Sequence, residues 1–136
     1  MTGDTNPPLC GELDLKPGMR VFILGMPDTV RDAARIDSSG LEVLAAPSTG
    51  IDAAHLFVQH REELMRELKA LRQLIAPTGF IWVSWPANAA PAESDVTADA
   101  VRDVALPLGL SDVKACAIDD LWSGLKLMVC KESRAS

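Results

Sequence analysis

Two stretches of this chain place polar and aromatic side chains at spacings that could do chemistry. Ser84-Trp85-Pro86 closes the apolar run Phe80 to Trp85, and the carboxyl end of a central strand is where open α/β sheets take ligands. There Trp85 could stack on a planar group and Ser84 could hydrogen-bond it, with Asp95 a short way on as a further polar partner. The other reading is that Trp82 and Trp85 point to opposite faces of one strand and simply pack. Asp119, Asp120, Trp122, Ser123 and Lys126 form the densest polar and aromatic cluster. Paired carboxylates beside a lysine do acid–base work when buried. The same residues also suit a turn in which Asp side chains bond local backbone and Gly124 supplies the bend.

Histidine and cysteine add little. His55 lies between apolar neighbours in a strand-like run and reads as a core or rim residue, while His60 precedes a helix. No Ser or Cys stands at a recognisable nucleophile turn, so a hydrolytic triad has no support. Cys10, Cys116 and Cys130 include no Cys-x-x-Cys pair and match no zinc spacing, so no metal site is expected. A hairpin folded about Ser123 puts Trp122 at its tip and Lys126 near Asp119 or Asp120. It also leaves Cys116 and Cys130 equidistant from the turn and facing each other, although buried free thiols are the plainer expectation.

The elements that must position these residues follow from apolar periodicity. Strands are expected at Met19 to Leu24, Leu41 to Ala46, Ala53 to Val58, Phe80 to Trp85, Val113 to Ile118 and Leu125 to Lys131. The first is apolar on both faces, the mark of a strand covered on both sides. A short helix is expected over Val30 to Ile36, after the turn Gly25-Met26-Pro27-Asp28-Thr29. The clearest helix spans about Arg61 to Ile75, where Leu64, Leu68, Leu71 and Ile75 recur at helical spacing, Met65 and Leu74 widen the stripe, and Glu62 faces Arg66. A third helix is capped by Thr97, carries Val101, Val104, Ala105 and Leu108 on one face, and should end near Leu106 because Pro107 removes a donor. Residues 1–12 read as a loose arm, 13–132 as one domain, and 86–94 as an Ala/Pro-rich loop. The order predicts an α/β fold: a three-layer Rossmann-like domain whose mostly parallel sheet of about six strands ends in an antiparallel hairpin.

The chain has 136 residues, 48% hydrophobic and 24% charged, which suits one globular domain able to bury roughly two thirds of its unfolded surface. A net charge of −6 argues against nucleic-acid binding, which needs clustered Lys and Arg. No apolar run approaches the roughly 18 residues of a membrane span, and Met1 to Pro8 lacks the features of a secretory signal. A cytoplasmic location and no membrane partner are therefore expected.

A parallel sheet closing with helix, strand and antiparallel strand resembles the class I methyltransferase version of the Rossmann fold, shortened, with one helix missing between the second and third strands. More specifically, the stretch from Lys16-Pro17-Gly18 to Lys131 resembles a family of small bacterial proteins known as a domain of unknown function. The words that carry the likeness are Lys16-Pro17-Gly18-Met19-Arg20-Val21, His55-Leu56-Phe57-Val58, Trp82-Val83-Ser84-Trp85-Pro86 and Cys116 to Lys126. The resemblance implies a fold and a bacterial cytosolic setting, and no activity. The chain departs from it after Trp85-Pro86, where Ala87 and Asn88 stand in place of a lysine.

An S-adenosylmethionine site on such a fold needs a Gly-rich turn after the first strand and an acid near the end of the second. Here the turn is Gly25-Met26-Pro27-Asp28, with a bulky Met and a Pro that cannot donate, and the second strand ends Leu44-Ala45-Ala46-Pro47-Ser48 with nothing acidic. No cofactor is expected. The leading expectation is a non-catalytic interaction or regulatory protein with a protein partner. The alternative is a small-molecule binder or enzyme using Ser84, Trp85, Asp95, Asp119, Trp122 and Lys126, and a degenerate methyltransferase ranks below both.

Overall fold

The apolar runs of the chain assemble into one sheet. A computed structural model describes residues 18–26, 28, 40–44, 46, 48–86, 94–117 and 122–129. In chain order the elements are β1 (Arg20–Leu24), β2 (Glu42–Leu44), β3 (Ile51–Phe57), α1 (Arg61–Leu74), β4 (Ile75–Pro86), α2 (Ala98–Ala105), β5 (Leu110–Ala117) and β6 (Trp122–Val129). A single 3-10 turn, Leu106–Leu108, follows α2 and stops at Gly109 with φ 79°. The expected arm, the helix at Val30 to Ile36 and residues 87–93 of the expected loop lie outside the described residues.

The strand order is β2-β1-β3-β4-β6-β5. All pairs from β2 to β4 are parallel, while β6 runs against both of its neighbours, β4 and β5. Five of the six strands thus share one direction, the mostly parallel sheet with an antiparallel C-terminal hairpin that the pattern predicts. The hairpin enters differently from the simplest picture of an antiparallel edge, because the last strand is internal and β5 is the edge. Burial decides this. Leu125, Leu127 and Val129 of β6 are buried, whereas Asp112, Val113, Lys114 and Ala115 of β5 are exposed. The β5 pairing shifts between Asp112 and Lys114, so Val113 is the extra residue of a bulge and stands 54% exposed. A bulge flanked by charges is how an edge strand resists pairing with other chains.

The hairpin register also corrects its expected centre. Ser123 pairs with Ala117 and Gly124 with Cys116, so Trp122 and Ser123 belong to a strand rather than to a tip. Cys130 lies outside the described residues, and with it the expected facing of Cys116 and Cys130; within the described hairpin Cys116 pairs with Gly124.

The helix α1 forms where the Leu stripe predicted it, and Leu64, Leu68 and Leu71 are fully buried, each stabilising by about 1.5–3 kcal/mol. Met65 does not widen that stripe; it is 54% exposed, one position past Leu64 and turned off the buried face. Arg66 pairs with Glu67 at 3.3 Å rather than with Glu62. The helix passes directly into β4, which begins at Ile75, earlier than expected, because Ile75 already pairs with Ile51. The register then jumps, and Phe80 pairs with Ala53. Gly79 sits inside this irregularity, where an added Cβ would lie 2.7 Å from the Asp52 carbonyl oxygen and 2.9 Å from Ile75 Cγ1. Gly79→Ala is therefore expected to cost about 1–3 kcal/mol in a denaturant titration, as overpacking against backbone does. The cap of α2 is as predicted: Thr97 Oγ1 accepts the Ala100 N–H at 3.1 Å.

Only six residues join β2 to β3 across β1, which leaves no room for a crossover helix. They span at most about 24 Å, enough to cross two strand spacings and return along the three-residue β2. Arg20 ties this short link down, donating from Nη1 to the Thr49 carbonyl at 3.1 Å and from Nη2 to Ser48 Oγ at 3.0 Å. Its backbone N–H donates to Asp52 Oδ2 at 3.0 Å.

The two faces of the sheet carry separate cores. Under α1 and α2 lie Leu56, Ile81, Val83, Trp85, Leu125 and Leu127 with Leu64, Leu68 and Val101. The opposite face carries Val21, Ala53, Phe57, Phe80 and Trp82, with Ile23, Met26, Trp122 and Met128 packed against them.

Candidate functional site at the carboxyl rim of the sheet

The strand directions bring one rim together: Gly25 and Met26 after β1, Phe57 at the end of β3, Ser84, Trp85 and Pro86 at the end of β4, and Trp122 at the start of the reversed β6. Pairing places Phe57 beside Ser84, Ser84 beside Gly124, and Pro86 beside Trp122. The Val58 N–H donates to the Ser84 carbonyl at 3.0 Å and continues the ladder to the rim.

Ser84 is fully buried, and its Oγ lies 2.7 Å from Nε2 of His55, itself 1% exposed. The β3–β4 register pairs His55 with Trp82 and Phe57 with Ser84, so the bonded pair is a diagonal neighbour on one face. The imidazole stacks on Phe57 (centroids 4.3 Å, 23°) and tilts toward Trp82 at 6.2 Å. Burial lowers the His55 pKa from 6.5 to about 3, so the ring is neutral at physiological pH. Its Nδ1 is buried without a hydrogen-bond partner among the described residues. A base so weak and so enclosed is poorly matched to proton transfer near neutrality. The His55–Ser84 pair is a polar pin inside an aromatic layer.

The other proposed site residues divide among three surroundings. Trp85 is 8% exposed and packs in the core beneath the helices, while Trp82 packs in the opposite core, as their spacing required. Asp95 accepts the Arg61 N–H at 2.8 Å through Oδ1 and donates its own N–H to the Gln59 carbonyl at 3.1 Å. His60, the N-cap position of α1, offers no side-chain cap, and Asp95 supplies one from a distant part of the chain. Trp122 is half-buried and meets the Phe57 ring edge-on at 5.1 Å. Lys126 lies deeper along β6, paired with Trp82, with its Nζ 4.5 Å above the Phe80 ring. Asp119 is outside the described residues. The structure therefore brings Ser84 and Trp122 to one face of the sheet at the rim, turns Trp85 to the opposite face, sets Asp95 at the start of α1, and places Lys126 on the face below Trp122.

His55 as the partner of Ser84 was not legible in the sequence, because the bond depends on the register between two strands 29 residues apart. The available signal was parity: His55 alternates with Ala53 and Phe57, and Ser84 with Trp82. Among the described residues no group of three or more His, Cys, Asp or Glu is arranged to hold a metal ion. No described helix is long and apolar enough to cross a membrane.

No protein-family model matches the chain, and no curated protein matches it. Solved structures do match. A SAM-dependent methyltransferase from Aquifex aeolicus superposes with a TM-score of 0.63 at 15% identity, covering 89% of this chain and 87% of that one. A TehB-like SAM-dependent methyltransferase from Corynebacterium glutamicum gives 0.56 at 11% identity, covering 93% and 91%. The [4+2]-cyclase SpnF gives 0.60 at 11% identity, covering 90% and 78%. The chain has the methyltransferase-like Rossmann fold, shortened, and at these identities the likeness establishes the fold alone.

Proposed function

We propose that this chain is a methyltransferase-like domain that works without S-adenosylmethionine chemistry, as a cytoplasmic interaction or regulatory protein. The observation that carries the reading is the state of the turn after β1. Met26 packs its side chain against the apolar layer of Val21, Phe57 and Trp82, so the turn is braced from within by a bulky residue. Gly25 has φ 73°, yet its open side faces the Phe57 carbonyl oxygen, 3.0 Å from where a Cβ would stand. Close packing of β1 on β3 is by itself a reason for glycine here, with no ligand required. Strand β2 ends at Leu44 with no acid following in the sequence as far as Ser48, so nothing there grips ribose hydroxyls. A cofactor needing both features does not fit these residues. The cyclase among the similar folds is consistent with a scaffold that is not tied to methyl transfer.

A second reading, a small-molecule pocket at the rim, is favoured by one feature: the half-buried Trp122 standing edge-on to Phe57 above the buried Ser84. A thermal-shift panel of metabolites and nucleotides separates the two. A ligand at a hundred times its Kd adds about 2.7 kcal/mol of stability. The interaction reading expects no such shift. A saturable shift lost in Trp122→Ala supports the pocket instead.

A further inference from the structure

We propose that the groove between α1 and α2 docks an acidic, amphipathic peptide segment of a partner protein. The proposal gives the interaction reading above its surface and rests on that reading. The groove encloses about 480 Å³, room for two or three side chains. Met65, Val104, Pro107 and Leu108 supply its apolar part, and Met65 is a large apolar side chain left half in water on a helix whose other face is fully packed. Exposed methionine beside arginine is the composition of binding surfaces.

Charge identifies the occupant. The groove carries Arg61, Arg66 and Lys69 against Asp103 alone, in a chain whose net charge is −6. Arg61 and Lys69 stand one turn before and one turn after Met65, so the apolar side chain sits between two cations on one helix face. Among the described residues neither cation side chain makes an ion pair. Arg66 is held by Glu67. Acidic residues flanking an apolar anchor complement this pattern, and a basic or neutral segment does not. A second copy of the chain fits poorly, because a two-fold contact through this patch sets cation against cation.

Panning a phage library of random 12-residue peptides against the intact chain tests the proposal, with Lys69→Glu and Met65→Asp as separate variants and circular dichroism melts as fold controls. Both positions face solvent, so both variants should fold. The expected result is enrichment of peptides combining Asp or Glu with Leu, Phe or Met, whose Kd rises at least tenfold in each variant. Basic or neutral winners, no enrichment, or peptides that bind the variants equally well overturn it. So does self-association by sedimentation that Met65→Asp abolishes, which makes a second copy the occupant. Cofactor titration judges the parent reading separately: inert cofactor with a failed groove moves the interaction to another surface.

Discussion

Lowering the pH from 6.5 toward 3 should destabilise the folded chain by about 1.4 kcal/mol per pH unit through His55 alone. The sign follows from linkage. The folded pKa is about 3 and the unfolded value 6.5, so the unfolded state takes up the proton first as the pH falls. The stability this residue contributes is complete above pH 6.5, is lost progressively below it, and falls no further once the folded state also protonates near pH 3. Carboxylates add their own acid dependence, so the diagnostic quantity is a difference between variants. His55→Leu with Ser84→Ala replaces both partners by apolar groups and should remove this component, flattening the profile between pH 6.5 and 4. His55→Leu alone leaves the buried Ser84 hydroxyl without its partner and should cost about 1–3 kcal/mol more than the double change. Urea titrations at several pH values read both effects. A double variant with the parent's slope would place His55 in water rather than in the aromatic layer.

The second large effect is expected on α1. Leu68→Ala should cost about 2–5 kcal/mol, since Leu68 is fully buried at the centre of the helix–sheet core and truncation leaves a cavity. That is a large fraction of the 5–15 kcal/mol typical of a domain. Met65→Ala, three residues earlier on the same helix, should stay within about 0.5 kcal/mol because its side chain already stands half in solvent. Equal losses at the two positions would mean that α1 is rotated relative to the sheet, and the proposed groove would then have no apolar floor. Denaturant midpoints at constant slope measure the comparison.

Much of this arrangement was legible from residue order because it rests on local signals. The stripe of Leu64, Leu68 and Leu71 announced α1, Thr97 and Pro107 bounded α2, the apolar run through Val21 marked a strand covered on both faces, and the runs through Leu56 and Val83 marked further strands. What was not legible depends on register. The placement of Trp122 and Ser123 within β6, the internal position of β6 and the His55–Ser84 bond are all set by which residues pair across strands. A one-residue slip reverses every side chain, and no local pattern reports it. Met65 was misread for a related reason. At the margin of an apolar stripe, about 100° of helical rotation separates a core residue from a wet one, and tertiary packing decides between them. Of the candidate rim residues, Trp85 and Asp95 show how an identity that suggests binding can serve a structural end, one filling a core and the other capping a helix.

The central claim is that the fold of a methyltransferase stands here without that enzyme's use of its cofactor. Isothermal titration of the intact chain with S-adenosylmethionine and with S-adenosylhomocysteine tests it most directly. The account predicts no saturable heat from either at ligand concentrations up to about 1 mM, where even a millimolar Kd corresponds to about 4 kcal/mol of binding free energy. A saturable one-to-one isotherm that weakens when Met26 or Gly25 is changed would contradict it and put an adenosyl group against the turn after β1.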